Sequence, residues 1–187
     1  MSKKNIAIIF GGASSEHEVS RRSASCIIEN INREKYNVIL IGITKSGKWY
    51  LCNEDIKSII NGSWENRHDN LPAFISPDTS TQGIIVLKDD NYSIIKVDAV
   101  IPVLHGKNGT IQGLLQLAKI PFVGCDLLSS ATCMDKIDTN IILTHCGIQK
   151  AKFTYTTAFD FNKDKELCIE AIETNIGNYP MFVKPSS

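Results

Sequence analysis

The sequence has no excess of either charge and no apolar segment long enough to cross a membrane. Twenty basic residues balance twenty acidic ones among 187, and no run of like charge forms a tail. Nucleic-acid-binding proteins usually carry a basic patch, so this balance does not indicate that class. Residues 1–4 lead into a predicted strand without the apolar core of a signal peptide. These absences predict a soluble cytoplasmic protein that binds neither nucleic acid nor membrane.

Cysteine pairs at metal-binding spacing are also absent. The sequence has no C-x-x-C pair and no histidine at ligand spacing from its six scattered cysteines, Cys26, Cys52, Cys125, Cys133, Cys146 and Cys168. Isolated cysteines of this kind are typical of reduced, mostly buried thiols in a cytosolic protein. We therefore expect no disulfide framework and no metal site built from these residues.

The first two thirds of the sequence alternate between predicted strands and predicted helices. Apolar, β-branched runs predict strands at residues 5–10, 36–44, 48–51, 83–87, 92–97, 99–104 and 120–123. Apolar residues at helical spacing predict helices at residues 19–31, 54–61 and 111–118. Residues 63–82 are rich in polar residues and proline, which predicts a surface loop. The alternation favours an α/β domain at residues 1–123 with a parallel sheet and right-handed crossovers.

The character of the sequence changes at residue 124. The remaining residues predict helices at 129–134, 137–143 and 167–176, and strands at 151–157 and 181–185. These strands and helices are too few to bury a sheet on both faces. We therefore expect residues 124–187 to be an incomplete domain, and the chain to be the front part of a longer protein.

A histidine at the end of a predicted strand is the first candidate for a functional residue. His105 leads into a glycine-rich loop, within residues 103–113 (VLHGKNGTIQG), and Thr110 is expected to cap the helix that follows. Loop amides and a helix N-terminus would then face one point, an arrangement that suits an anion. Ligands of open α/β sheets bind at this end of the strands. The alternative is a strand-end histidine that is hydrogen-bonded to the backbone.

A second polar loop follows the first strand. Its two glycines, Gly11 and Gly12, let the backbone approach a ligand closely, and residues 13–18 (ASSEHE) follow them. The loop has neither the G-x-G-x-x-G pattern of NAD sites nor the lysine of a Walker A loop. Its carboxylates and hydroxyls suit a cationic amine better than a phosphate. For Glu16, the alternative is a solvated carboxylate in the first turn of a helix.

Four motifs, in order along the chain, resemble the D-alanine–D-alanine ligase family. They are residues 11–20 (GGASSEHEVS), residues 104–106 with 109–113 (LHG and GTIQG), residues 134–136 (MDK) and residues 182–186 (FVKPS). One such motif would be weak, but four in the family's order are specific. The sequence outside these motifs, at residues 42–47 and 124–130, is most similar to the VanG-type D-alanine–D-serine ligases of vancomycin resistance.

The resemblance implies an ATP-grasp enzyme with a Rossmann-like N-terminal domain, followed by the start of the ATP-grasp domain. In this family ATP phosphorylates the carboxylate of a first D-alanine. The amine of a second D-amino acid, D-alanine or D-serine, then attacks the acyl phosphate to form a peptidoglycan precursor. The resemblance also implies ATP and magnesium as cofactors, and a homodimer.

The motifs further imply roles for five residues. Glu16 would bind the ammonium group of the first D-alanine with Val19 beside it, and His105 would lie near the carboxylate where negative charge develops. Lys136 and Lys184 would contact the phosphates of ATP. Each role suits the residue type, because carboxylates pair with ammonium groups and lysines act as point charges for phosphate. Without these motifs, Lys136 would be an ordinary surface-helix lysine and Lys184 a strand-end lysine with its ammonium in water.

The sequence departs from the family in two places. The loop after His105 is shorter than in the family by about three residues, Gly-Glu-Asp. If the protein truly lacks them, His105 would be displaced. If the protein has them and the sequence omits them, the chemistry is unaffected. The chain also stops before the loop over the ATP phosphates, the lid, the magnesium-binding carboxylates and the residues that select the second substrate. We therefore expect residues 1–187 alone to be inactive. Two alternatives stay open: another ATP-grasp carboxylate–amine ligase, and a non-catalytic ligand-binding module.

Overall fold

The first strand, β1 (Lys4–Gly11), lies between two parallel neighbours in the computed structural model, which describes residues 2–105, 109–177 and 179–186. Its side chains alternate between the two faces of the sheet. Ile8 and Phe10 belong to the core on one face, and Ala7 and Ile9 belong to the core on the other. A strand that is buried on both faces reads as a continuous apolar run, which is why β1 is recognisable in the sequence.

Seven strands form one mixed sheet, in the order β6-β5-β4-β3-β2-β1-β7. They are β1 Lys4–Gly11, β2 Tyr36–Ile43, β3 Trp49–Cys52, β4 Leu71–Ile75, β5 Gly83–Lys88, β6 Asn91–Lys96 and β7 Ala99–Pro102. β1 pairs in parallel with β2 and β7, which confirms the predicted α/β class. The strands from β2 to β6 pair antiparallel, and β5 and β6 form a hairpin. Parallel pairing needs a crossover of a dozen or more residues, and the connections from β2 to β3, from β4 to β5 and from β5 to β6 are shorter than that.

Helices cover both faces of this sheet. They are α1 His17–Asn30, α2 Ile56–Asn61, a 3-10 helix at Ser63–Asn66, and α3 Thr110–Leu117. Buried residues of α1 and α2, such as Ala24, Ile28 and Ile59, pack on one face, and Leu115 of α3 belongs to the core on the other. The predicted strand at residues 120–123 is reduced to a single parallel bridge between Val100 and Phe122.

Two predictions for this part of the chain are wrong. Residues 63–82 are not only surface loop, because they contain the 3-10 helix and β4, and Trp64 within them is 1% exposed. The polar composition of the segment concealed this one large buried side chain. Thr110 does not cap α3, because it is the first helical residue and the N-cap position belongs to Gly109, with a φ of 63°.

The chain divides into two compact units, Met1–Ser130 and Ala131–Ser187. The division falls within the helix at Leu127–Met134, whereas the sequence predicts a domain boundary at residue 124. The helices from this region onward are α4 Leu127–Met134, α5 Lys136–His145, α6 Ala158–Lys163 and α7 Lys165–Ile176. Helix α6 was not predicted from the sequence.

The strands predicted at residues 151–157 and 181–185 do not form in the described part of the second unit. A strand needs a partner for its backbone hydrogen bonds, and the structure shows no sheet among the described residues of this unit. None of the described residues of the second unit is buried either. No helix in the described part of the chain is both long and apolar enough to span a bilayer.

The cysteines are all free, but the prediction that most are buried is wrong. Only Cys52 is buried, Cys168 is half-buried, and the other four are exposed. Burial raises the pKa of the Cys52 thiol to about 12. Cys52 lies on β3 in the core beneath α1 and α2, so it behaves as a small apolar side chain.

Candidate functional site

The loop after β1 is held in place by hydrogen bonds to three neighbouring segments. Gly11 and Gly12 have φ angles of 88° and 101°, and a Cβ on Gly11 would lie 2.2 Å from the carbonyl oxygen of Ile43. The Gly12 N–H donates to that oxygen at 2.8 Å. The Gly11 N–H donates to Oγ of Ser20 at 2.8 Å, and this hydroxyl donates to the carbonyl of Val103, just after β7. The loop is therefore fixed at the carboxyl ends of β1, β2 and β7.

Glu16 lies at the N-cap position of α1. Its carbonyl accepts from the N–H of Ser20 at 3.0 Å, and its own N–H donates to Oγ of Ser14 at 3.2 Å. Its side chain is exposed and makes no capping hydrogen bond. Within the described ranges, the Glu16 carboxylate has no protein partner, and it lies at the end of the helix where backbone N–H groups point outward. It is free to bind a cation.

His105 lies against the same loop. Its carbonyl accepts from Oγ of Ser14 at 2.8 Å, and its Nε2 lies 3.3 Å from Oγ of Ser23 on α1. Ser14 therefore contacts the backbones of both Glu16 and His105. The structure brings these two predicted residues to one edge of the sheet. Sequence reasoning did not single out Ser14 or Ser23, although the hydroxyl-rich loop was noted as a group.

Val19 lies on α1 three residues after Glu16, so both side chains lie on the same side of the helix. Its side chain is 49% exposed. An exposed apolar side chain beside a free carboxylate suits a small ligand that carries an ammonium group and a methyl group. The contact of Val19 with a substrate stays a prediction.

His17, which sequence reasoning did not single out, is buried directly behind the loop. It is 1% exposed, its Nδ1 lies 2.8 Å from the carbonyl oxygen of Gly12, and its Nε2 lies 2.9 Å from Oε1 of Glu65. The second contact links the loop to the 3-10 helix. Because the partner is far away in the sequence, no local pattern could have indicated this pair.

The two predicted phosphate-binding lysines both lie in the second unit. The Lys136 N–H donates to the carbonyl of Ser186 at 2.8 Å, and the Lys136 ammonium donates to the same oxygen at 3.3 Å. Asp135 caps α5 directly before Lys136. Lys184 is exposed and lies two residues before Ser186. The segments that carry the two lysines therefore lie side by side, and contact with ATP stays a prediction.

Two predictions concern residues that the structure does not supply. In the described part of the chain, no group of three or more His, Cys, Asp or Glu side chains could hold a metal ion. The position of the magnesium ligands stays a prediction. The shortened loop after His105 falls on residues 106–108, which lie outside the described residues.

Comparison with known families and proteins matches nearly the whole chain. Residues 5–125 match the family described as the D-ala D-ala ligase N-terminus. The chain is 44% identical to the D-alanine–D-alanine ligase of Thermoanaerobacter sp. (strain X514), over 100% of this chain and 52% of the relative. It is 45% identical to the vancomycin/teicoplanin A-type resistance protein VanA of Enterococcus faecium, over 100% of this chain and 50% of the relative.

Solved structures give the same result. The VanG D-Ala:D-Ser ligase from Enterococcus faecalis matches with a TM-score of 0.86 and 44% identity, over 99% of this chain and 52% of that chain. The D-alanine–D-alanine ligase from Coxiella burnetii matches with a TM-score of 0.70 and 28% identity, over 88% of this chain and 50% of that chain. The chain thus spans about half the length of the relatives it matches.

Proposed function

Because this chain belongs to the D-alanine–D-alanine ligase family, we propose that it supplies the first-substrate site of an ATP-dependent D-alanine–D-amino-acid ligase. The observation that carries the proposal is a pair of hydrogen bonds, which join the Ser14 hydroxyl to the backbones of Glu16 and His105. It brings a free carboxylate and a histidine from distant parts of the sequence to one edge of the sheet. The pair suits a small zwitterion, with one group for its ammonium and one for its carboxylate.

The Glu16 carboxylate binds the ammonium group of the first D-alanine in this proposal. Its exposure at the N-terminus of α1 leaves the carboxylate accessible to the substrate. The exposed Val19 side chain contacts the small apolar part of the substrate. A charge-assisted contact of this kind holds the amino acid in one orientation.

His105 acts on the other end of the first D-alanine. One carboxylate oxygen of D-alanine attacks the γ-phosphorus of ATP, and the bond from that phosphorus to ADP breaks. The amine of the second D-amino acid then attacks the acyl carbon and gives up a proton, and phosphate leaves with the electrons of the carbon–oxygen bond. A donor that faces the oxygen on which charge develops can be worth roughly 3 kcal/mol. Holding both substrates side by side lowers the entropic part of the barrier.

The remaining features of the proposal follow from the family. Lys136 and Lys184 contact the phosphates of ATP as point charges. Magnesium is held by residues other than residues 1–187. The relatives include ligases named for D-Ala–D-Ala and for D-Ala:D-Ser, so the second substrate is D-alanine or D-serine. The product serves peptidoglycan synthesis, and we further propose a cytoplasmic homodimer.

Glu16→Gln, with Glu18→Gln as its control, tests this proposal in the full translation product of the gene. Glu18 lies in the first turn of α1, is also exposed to solvent, and is paired with Lys45 at 3.2 Å. Glu16→Gln is expected to raise the KM for D-alanine about tenfold to a hundredfold, because the ammonium loses its charged partner. The KM for ATP should stay unchanged, and Glu18→Gln should match the wild type. The measurement is D-alanine-dependent release of ADP.

The other outcomes distinguish the alternatives. If ADP release depends on another carboxylate and not on D-alanine, the chain belongs to a different ATP-grasp ligase. If D-alanine binds in a calorimeter but no ADP forms, the protein is a binding module. An unchanged KM for D-alanine in Glu16→Gln would remove Glu16 from the substrate site. Residues 1–187 alone are expected to release no ADP.

A further inference from the structure

His17 makes two directional contacts that fix the orientation of its ring. Nδ1 lies 2.8 Å from the Gly12 carbonyl, which can only accept a hydrogen bond, so Nδ1 must carry a proton. Nε2 lies 2.9 Å from a carboxylate oxygen of Glu65. The proton of this second contact lies on Nε2 or on Glu65, and in both cases Nδ1–H points at Gly12. The carboxylate therefore orients the ring, as outer partners of functional histidines do.

The Gly12 carbonyl connects His17 to the loop of residues 11–16 by hydrogen bonds. It accepts from His17 and also from the N–H of Ser14 at 3.0 Å. Gly12 has a φ of 101°, and a glycine has no side chain that would restrict its rotation. If the Gly12 carbonyl turned away, Ser14 would lose its backbone contact. Ser14 contacts the backbones of both Glu16 and His105, so both would shift.

Glu65 is itself held firmly. It lies on the 3-10 helix next to Trp64, which is 1% exposed and packs edge-on against Phe10 of β1 with ring centroids 5.0 Å apart. The Glu65 side chain is 26% exposed and reaches inward to a ring that is almost fully buried. The contact therefore runs from a rigid part of the core to the Gly12 carbonyl.

We propose that His17, held by Glu65, is a positioning residue that sets the loop of residues 11–16 for the first substrate. This inference rests on the proposed function of Glu16. His17 touches neither substrate nor reacting atoms in this scheme. It acts through the Gly12 carbonyl, and its loss changes the geometry of Glu16 and His105 rather than the chemistry.

Two substitutions at one position separate the contacts of His17. In His17→Asn the amide nitrogen takes the place of Nδ1 and can still donate to Gly12, while the contact to Glu65 is lost. In His17→Gln the amide takes the place of Nε2, so the contact to Glu65 remains and the donor to Gly12 is lost. In the full translation product, we expect His17→Gln to raise the KM for D-alanine about tenfold to a hundredfold, with the KM for ATP unchanged.

His17→Asn should recover most of that loss, although both variants lower the melting temperature. Glu65→Gln retains an amide that can hydrogen-bond to Nε2, so it should stay close to wild type. A merely structural role would make the KM for D-alanine follow the melting temperature. Equal KM values in His17→Asn and His17→Gln, or a parallel rise in the KM for ATP, would overturn the inference.

A direct measurement covers variants that do not fold. Long-range proton–nitrogen NMR of the wild-type protein should show a proton on Nδ1 of His17, and a bare Nδ1 would overturn the inference. A failure of the proposed function would give different results from a failure of this inference. If the wild type shows no D-alanine-dependent ADP release, the ligase proposal is wrong, and if Glu16→Gln has no effect, Glu16 does not belong to the substrate site. If both behave as expected while His17→Gln matches the wild type, only the role of His17 is wrong.

Discussion

Single residues at the end of β1 determine where the Glu16 loop runs. Gly11 combines a φ of 88° with a close approach to Ile43, since a Cβ there would lie 2.2 Å from the Ile43 carbonyl oxygen. Backbone atoms cannot give way as the end of a flexible side chain can. The second glycine of the pair, Gly12, has space for a Cβ, with Leu104 as its nearest neighbour at 3.6 Å. The two glycines are therefore required for different reasons.

Gly11→Ala is expected to lower the free energy of unfolding by about 2–4 kcal/mol, because both the steric clash and the positive φ act against it. Gly47→Ala is the matched control. Gly47 has a similar φ of 83°, but nothing lies within 4 Å of its Cβ position, so only the backbone strain of about 1 kcal/mol applies. Urea denaturation of both variants measures the difference. Equal losses would show that the contact with Ile43 is relieved by a shift of β2.

At the scale of secondary-structure elements, the 3-10 helix at Ser63–Asn66 matters most for the site. Trp64 fills the space above Gly42, where a Cβ would lie 2.3 Å from the indole ring. The helix is short and its sequence is polar, so its position depends on this one side chain. Glu65 reaches His17 only because Trp64 holds the helix against the sheet.

Trp64→Ala is expected to lower the free energy of unfolding by about 3–5 kcal/mol, the usual loss for a large core aromatic. The half-buried Trp49 is the control within the same unit, and Trp49→Ala should cost clearly less. Trp64→Phe should lie between the wild type and Trp64→Ala, because the indole N–H of Trp64 has no partner among the described residues, so no hydrogen bond is lost. Thermal and urea unfolding check this order, and a Trp49→Ala loss as large as that of Trp64→Ala would contradict it.

At the scale of the whole molecule, the two units differ in how much they bury. The first unit contains two apolar cores, one on each face of the sheet. In the second unit none of the described residues is buried, and Phe182 and Val183 are 93% and 94% exposed. Local stability follows the number of buried apolar contacts, so the described part of the second unit has little to hold it in one conformation by itself.

Limited proteolysis of the 187-residue chain with chymotrypsin is expected to remove parts of the second unit first. Phe159 and Phe182, at 76% and 93% exposure, should be cut early, because exposed and weakly packed backbone is the preferred substrate. Phe10 and Trp64, at 0% and 1% exposure, are the internal controls and should resist. Mass spectrometry of the fragments identifies the sites. Early cleavage at Phe10 would show that the first unit does not hold its core in solution.

The sequence by itself determined the class of the fold, most of its helices and strands, the two polar loops and the family. These features depend on local spacing and on short motifs, and an apolar run such as that of β1 retains its pattern in any context. The candidate residues Glu16 and His105 could be named for the same reason, because each lies within a motif.

Tertiary structure alone decided how these residues are held. The links from Ser14 to His105 and from His17 to Glu65 join segments that are distant along the chain, and the burial of Trp64 appears only when its helix meets the sheet. The same dependence explains the strands that were predicted in the second unit but did not form, since a strand is stable only when another strand satisfies its backbone groups. Spacing along a chain reports which residues could be buried or paired, whereas the partner that satisfies them is supplied by packing.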